Sequence, residues 1–334
     1  MKKISFCATS FLIGSFLLGG CSAPNFPALS SFTYKNSDKY TMGEAELPAG
    51  EISNVEIDWV SGEINVAYHT KDTVIFSETS NKTLNDKTTM YYFVDGDTLH
   101  LKFAKSGNRI PSNLNKELTV YLPEGMELDE VAIDSVSADV NITGLTAEKT
   151  NVDTISGNIV FEDVTLIDQA KFDTTSGDIT ANLDGNLTTF SADTISGNME
   201  CTLAAAKKVE INSTSGEIKL TMEESPETLS TETVSGDMTF FLAGAEKIDL
   251  ESTNGSINLS SSKTPDAITV DTVSGDIVFC LPENSDFTVN WDSASGSLNS
   301  DFSMKKDGDS YIFGAGTHKY DVDTTSGDLN IEYN

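Results

Sequence analysis

Three stretches decide the fold: Val152-Asp-Thr-Ile-Ser-Gly-Asn-Ile-Val-Phe161, Phe172-Asp-Thr-Thr-Ser-Gly-Asp-Ile-Thr-Ala181 and Ala192-Asp-Thr-Ile-Ser-Gly-Asn-Met-Glu-Cys201. They are one pattern, with the turn Ser at positions 156, 176 and 196. Working outward, the same Ser-Gly-polar-aliphatic unit returns at Ser215, Ser235 and Ser274, with variants at Ser137, Asn254, Ser295 and Ser326 and an isolated copy at Ser61. From Ser137 the intervals run 19, 20, 20, 19, 20, 19, 20, 21 and 31 residues. A register held over so many copies marks a repeat architecture.

Apolar residues alternate on each side of the turn. Val152, Phe172, Ala192, Ile211, Leu250, Val270, Trp291 and Val322 stand four before the Ser position, and Ile159, Ile179, Met199, Ile218, Met238, Ile257, Ile277, Leu298 and Leu329 stand three after it. Such alternation defines a half-buried strand on either side of a turn. The inward parity changes across Ser-Gly, so the turn consumes one residue, and Gly suits the positive φ expected there. Twenty residues in two strands cannot enclose a core, but stacked copies can. The expected fold is therefore all-β: a parallel β-solenoid of about ten rungs over residues 133–334, stacked in chain order at about 4.8 Å per rung. A propeller blade needs 40 or more residues and fits less well. The long last interval predicts an inserted hairpin around Lys305 to Gly316. Residues 51–132 are β-rich but irregular and read as an N-terminal cap or as degenerate rungs, the 76 residues from Ser61 to Ser137 being close to four rungs. Cys201 and Cys280 fall four rungs apart, roughly 19 Å at that spacing, too far for a disulfide.

The chain has 334 residues with 52 acidic and 21 basic side chains, a formal net charge of −31. That charge argues against nucleic-acid binding and against unaided adsorption to anionic lipid. Lys2 and Lys3 precede a short apolar stretch from Ile4 to Leu18, which reads as a secretory signal peptide over residues 1–20. The sequence Leu18-Gly19-Gly20-Cys21 resembles the lipobox of bacterial lipoproteins. The resemblance implies a diacylglyceryl anchor on Cys21, a tether over 21–49, and display at the outer face of the cytoplasmic membrane, or at the outer membrane of a Gram-negative source. Loss of Lys2 and Lys3 would take the side-chain balance from −31 to −33.

Together with Val60-Ser-Gly-Glu-Ile-Asn-Val66, Leu118-Thr-Val-Tyr-Leu-Pro123 and Tyr320-Asp-Val-Asp-Thr-Thr-Ser-Gly-Asp-Leu329, the repeats resemble the bacterial putative-adhesin domain family, over roughly Glu51 to Asn334. That resemblance implies a β-solenoid in an exported or cell-surface protein, with no catalytic residues to carry over; some relatives are tied to envelope-stress and antimicrobial-peptide responses. The residues themselves favour a non-enzymatic binding or scaffold protein. His69, His100 and His318 lie apart from one another and from the cysteines, without zinc-site spacing. Ser303 and Lys306 form a Ser-x-x-Lys match lacking its partner motifs. A carbohydrate-active enzyme would need paired carboxylates beside stacking aromatics, and Trp59 and Trp291 are the only tryptophans.

The acids are the informative group. Three before the turn Ser stand Asp153, Asp173, Asp193, Asn212, Glu232, Glu251, Asp271, Asp292 and Asp323; two after it stand Asn158, Asp178, Asn198, Glu217, Asp237, Ser256, Asp276, Ser297 and Asp328. Stacking turns each set into a column, in which unit charges repel by about 0.9 kcal/mol per step in water. Two readings compete: side chains that accept turn amides and keep the rod soluble, or a cation-binding ridge. The ridge would hold loosely bound calcium or a cationic peptide, with no other cofactor expected. Its candidate residues are Asp153, Asp173, Asp193, Glu232, Glu251, Asp271, Asp292, Asp323, Asp178, Asp237, Asp276 and Asp328. A protein or glycan partner also fits a flat repeat face. The Thr154, Thr174, Thr194 and Ser213 series predicts a hydrogen-bonded hydroxyl ladder.

Overall fold

In the Ser156 rung, Thr146–Thr154 leads into the turn and Ile159–Thr174 leaves it, continuing past a corner as the first strand of the next rung. The corner falls near Asp163, whose φ of 52° is rare for a non-glycine residue. The computed structural model describes residues 32–334; the expected signal peptide over 1–20, Cys21 and the expected tether as far as residue 31 lie outside the described residues. Pairing between rungs is parallel and in the register of the repeat: Val152, Phe172, Ala192 and Ile211 are successive partners, and so are Ile159, Ile179, Met199 and Ile218. The fold is thus a parallel β-solenoid, with the core between the two strand layers. Phe161, Phe172, Phe190, Phe240 and Phe279 are buried along it, each contributing about 1.5–3 kcal/mol by leaving water.

The stack does not follow chain order at its ends. Val270 pairs with Val322, and Val322 with Trp291, so the Ser326 rung lies between the Ser274 and Ser295 rungs. After the Ser274 rung the chain skips a layer and lays down Phe287–Ser295 and Leu298–Ser300 as the outermost rung. It then makes the hairpin Lys305–Asp307 and Ser310–Phe313, and returns with His318–Ser326 and Leu329–Tyr333. The inserted rung encloses Tyr320, Val322, Leu329 and Ile331; in the outermost rung Phe287 and Val289 are buried beside the hairpin, while Trp291 and Leu298 are half-buried at the end.

The other end is also crossed. Asn54–His69 stacks on Glu127–Thr143 with Ser61 opposite Ser137. The intervening residues therefore hold one further rung rather than four. Thr98–Lys102 and Lys116–Pro123 pair with the far side of Asn54–His69. Antiparallel strands close this end: Thr73–Ser80 on Lys116–Pro123, Tyr91–Asp95 on Thr98–Lys102, then Ala45–Pro48 and Thr41–Met42 outside them. Residues 32–49 are accordingly part of the cap and not tether: Phe32 is buried and Tyr34 packs on Tyr40.

The positive φ expected at the turn glycines holds in only part of the stack. Gly62 (+108°), Gly255 (+159°), Gly275 (+141°) and Gly327 (+149°) adopt it. The turn glycines Gly157, Gly177, Gly197, Gly216 and Gly236 do not, and there glycine is demanded by space: a Cβ on Gly177 would lie 1.9 Å from the Gly157 carbonyl oxygen. The hydroxyl series is likewise a set of turn caps and not a ladder. Thr154, Thr174, Thr194, Ser213 and Thr233 accept the N–H of the turn Gly three residues on at 2.8–3.1 Å. In the later rungs Ser252, Thr272, Ser293 and Thr324 bury hydroxyls without a partner. Cys201 faces the core and Cys280 faces outward, and both are free thiols.

Candidate functional site

The structure separates the two acidic columns into different chemistries. In the column following the turn, side-chain oxygens accept the amide of the same position one rung on, except at Glu217 and Ser256. Asn158 N–H donates to Asp139 Oδ1 (2.8 Å), Asp178 to Asn158 (2.9 Å), Asn198 to Asp178 (2.7 Å) and Glu217 to Asn198 (3.0 Å). Ser256 N–H donates likewise to Asp237 (2.8 Å), Asp328 to Asp276 (3.0 Å) and Ser297 to Asp328 (2.8 Å). The Ser297 amide holds the Asp328 carboxyl below its ordinary value. Asp178, Asp237, Asp276 and Asp328 thus satisfy turn backbone that nothing else reaches. This column is structural.

The column preceding the turn has one such bond, from Glu232 N–H to Asn212 Oδ1 (3.2 Å), and its carboxylates have none. In stack order it runs Asp58, Asp134, Asp153, Asp173, Asp193, Asn212, Glu232, Glu251, Asp271, Asp323 and Asp292, neighbours being strand partners throughout. Asp58 and Asp134 were not among the expected members, although both stand three before a turn Ser. Lys102, beyond Asp58, terminates the line; its Nζ bonds Asp58 and lies 2.6 Å from Glu56 Oε1. Relief inside the column is sparse: Lys171 pairs with Asp173, and Asn212 Nδ2 donates to Asp193 Oδ1 at 2.9 Å. The second carboxylate oxygen of buried Asp173 has no partner.

Burial and neighbouring charge act together here. Asp134 and Asp153 are pushed up to about 6, by desolvation first and then by adjacent carboxylates. Asp193 also reaches about 6 through desolvation, against the opposing Asn212 bond and reinforced by Asp173. Glu251, Asp271 and Asp323 are raised by the same two causes in the same order.

Asp134, Asp153 and Asp193 bind protons more readily in the folded chain than in the unfolded one, where the ordinary value is near 3.9. Their contribution to stability is therefore full below about pH 4 and is lost as the pH rises through about 6. The melting temperature is expected to be higher at pH 5 than at pH 7.5. Asp153→Asn with Asp193→Asn should remove most of that difference and stabilise the protein at pH 7.5 by about 1–2 kcal/mol after solvent screening. A melting temperature that falls steadily from pH 7.5 to pH 5 would contradict this account.

The remaining candidates are in structural service. Lys306 lies against Tyr311, its Nζ 3.0 Å from the hydroxyl, within the terminal hairpin. His100 and His318 sit 3.2 Å from Glu56 and Asp266, and His69 lies 2.7 Å from the Thr73 carbonyl. Trp59 is fully buried and offers no face for a sugar. Among the described residues no group of three or more His, Cys, Asp or Glu side chains is placed to hold a metal ion.

Stacked two-strand rungs, a glycine row and continuous side-chain columns define a repeat-array β-solenoid. The Toastrack DUF4097 family model matches residues 52–244 and 182–332, and the chain belongs to that family. No curated protein matches. A crystal structure described as a putative cell adhesion protein from Clostridium sporogenes is 14% identical, covering 88% of this chain and 100% of that chain at a TM-score of 0.18. Another, described as a putative lipid binding protein from Parabacteroides distasonis, is 14% identical, covering 89% and 97% at a TM-score of 0.39.

Proposed function

We propose that this is an exported, non-enzymatic protein, lipid-anchored through Cys21, that works at the cell surface by binding or scaffolding a cationic partner. The observation that carries this reading is the column from Asp134 to Asp292, a line of poorly compensated carboxylates along one face of the rod. Solubility alone needs no aligned and partly buried carboxylates, and their repulsion is a standing cost that a cationic ligand would relieve. Membrane anchoring would keep the column near the envelope surface, where cationic peptides act.

Polylysine binding to the whole protein tests the reading. Asp153→Asn, Asp173→Asn, Asp193→Asn and Asp271→Asn together should weaken it by about tenfold or more, and binding should decline as salt shortens the screening length. Unchanged affinity in the quadruple variant would refute the column's role. Calcium is the weaker candidate ligand: the column offers hard oxygen donors, but no three of them converge among the described residues; millimolar calcium is expected to leave the melting temperature unmoved, and a clear rise would reinstate it. The anchor has its own test: radiolabelled palmitate should enter the protein in bacteria and should not enter the Cys21→Ala variant.

A further inference from the structure

The two ends of the stack are finished differently. At the N-terminal end, Thr98–Lys102 and Lys116–Pro123 are both covered by antiparallel strands. At the other end, the outermost rung is covered only from Phe287 to Asn290, by Ser310–Phe313. Beyond Asn290 its outer side has no strand partner among the described residues. His318 N–H donates to the Asp286 carbonyl (3.3 Å) and Leu329 N–H to the Ser297 carbonyl (2.9 Å), which fixes the inward-pointing groups. Alternation along each strand then turns the N–H and C=O groups of Trp291, Ser293, Leu298 and Ser300 outward. An edge of this kind is a template for one more strand. Of the residues that usually blunt such edges, Trp291 to Ser300 contains neither Lys nor Pro, and Asp292 is its only charged side chain.

Charge identifies the occupant. The hairpin turns away at Asp309, opposite the point where the edge opens, and leaves a cleft of about 370 Å³ lined by Asn290, Trp291, Asp292, Asp309, Asp321 and Asp323. None of the four carboxylates takes part in an ion pair among the described residues. A second copy of the chain docking end to end would bring two such acidic clefts together. An extended chain carrying Lys or Arg at alternate positions meets both requirements, with main-chain bonds to the open rung and cationic side chains over the cleft.

We propose that the open C-terminal rung binds an extended basic peptide segment as an added β-strand. The proposal rests on the reading of this protein as a binder of cationic partners and adds a second place and mode, strand addition at the end of the rod besides adhesion to the side column.

Three synthetic nonapeptides separate the two modes when titrated against the whole chain: alternating Lys and Thr, the same peptide N-methylated at alternate residues, and alternating Glu and Thr. The Lys-Thr peptide should bind. N-methylation, which leaves the charge intact but removes main-chain donors, should weaken binding by about tenfold or more, as should Asp292→Asn with Asp309→Asn. Ser293→Pro should abolish binding while its circular dichroism stays that of the wild type, an edge position being where proline is tolerated. The quadruple column variant should stay within about twofold of wild type. Equal binding of the methylated peptide, or loss of binding in the quadruple variant alone, would overturn strand addition and leave the side column as the site. Absence of binding by the Lys-Thr peptide, or self-association of the protein that Ser293→Pro abolishes, would also overturn the proposal.

Discussion

Gly197→Ala is expected to destabilise the protein by more than about 3 kcal/mol, at the upper end of what a single added methyl costs. The new Cβ would lie 1.7 Å from the Gly177 carbonyl oxygen, 2.5 Å from its carbonyl carbon and 3.1 Å from the Asp178 nitrogen. All three are backbone atoms, so no rotamer change can make room. Separation of the rungs is resisted on both sides of the turn, where Asp193 pairs with Asp173 and Met199 with Ile179. It would also stretch the 2.7 Å bond from Asn198 N–H to Asp178. The row tolerates an alanine at Ala138, where Glu127–Thr143 runs through the turn position as continuous strand. Gly50→Ala is the control, for no atom lies within 4 Å of its Cβ and its φ is not positive; it should stay within about 0.5 kcal/mol. Urea denaturation of the two variants decides the matter, and equal midpoints would refute the close-approach account.

The interior of the stack was legible because each rung repeats the one before it. The 20-residue interval, the parity of Phe172 against Ile179 and the change of face at Ser-Gly are local signals, and they place Val152 beneath Phe172 without further information. The ends depend on competition between distant segments. Nothing local to Ser326 says that its rung will slip inside the Ser295 rung, enclosing Tyr320, Val322 and Ile331 and leaving Trp291 and Leu298 half-buried at the end. The glycine row was visible, but its cause was not, since φ is a property of one residue and close approach a property of two rungs. At the site, the two acidic columns looked equivalent in the sequence. They differ because side chains after the turn reach the next amide in rung after rung, whereas before it only Asn212 does so, to Glu232 N–H, and the carboxylates do not. Asp58 and Asp134 were within reach of the same spacing rule that found Asp153. Lys102 was not, because the segment that brings it onto the line carries no repeat.

The second large effect lies under the N-terminal cap. Lys116 is fully buried, with its Nζ bonded to Glu78, to the Phe103 carbonyl and, at 3.0 Å, to the Thr88 carbonyl. It sits 4.7 Å from the centre of the Trp59 ring and 4.1 Å from that of Phe103, and its own carbonyl accepts the Trp59 indole N–H at 3.2 Å. Lys116→Ala would leave the Glu78 carboxylate buried, retaining only the Met90 N–H at 2.7 Å, and is expected to cost about 3–5 kcal/mol. Lys116→Met with Glu78→Gln removes both charges and keeps the volume, so it should recover most of that loss. Burial pushes the lysine down to about 8 in spite of Glu78, which gives the site a pH signature. The unfolded chain holds the proton up to about 10.4, so stability should rise with pH between about 8 and 10. In Glu78→Gln the ammonium has lost its counter-charge and can escape only by deprotonating. The loss in that variant should therefore be larger at pH 7 than at pH 9.5. A penalty independent of pH, or a Lys116→Ala cost below about 1 kcal/mol, would mean that the pair is screened like a surface ion pair and that the cap is held by its aromatic packing alone.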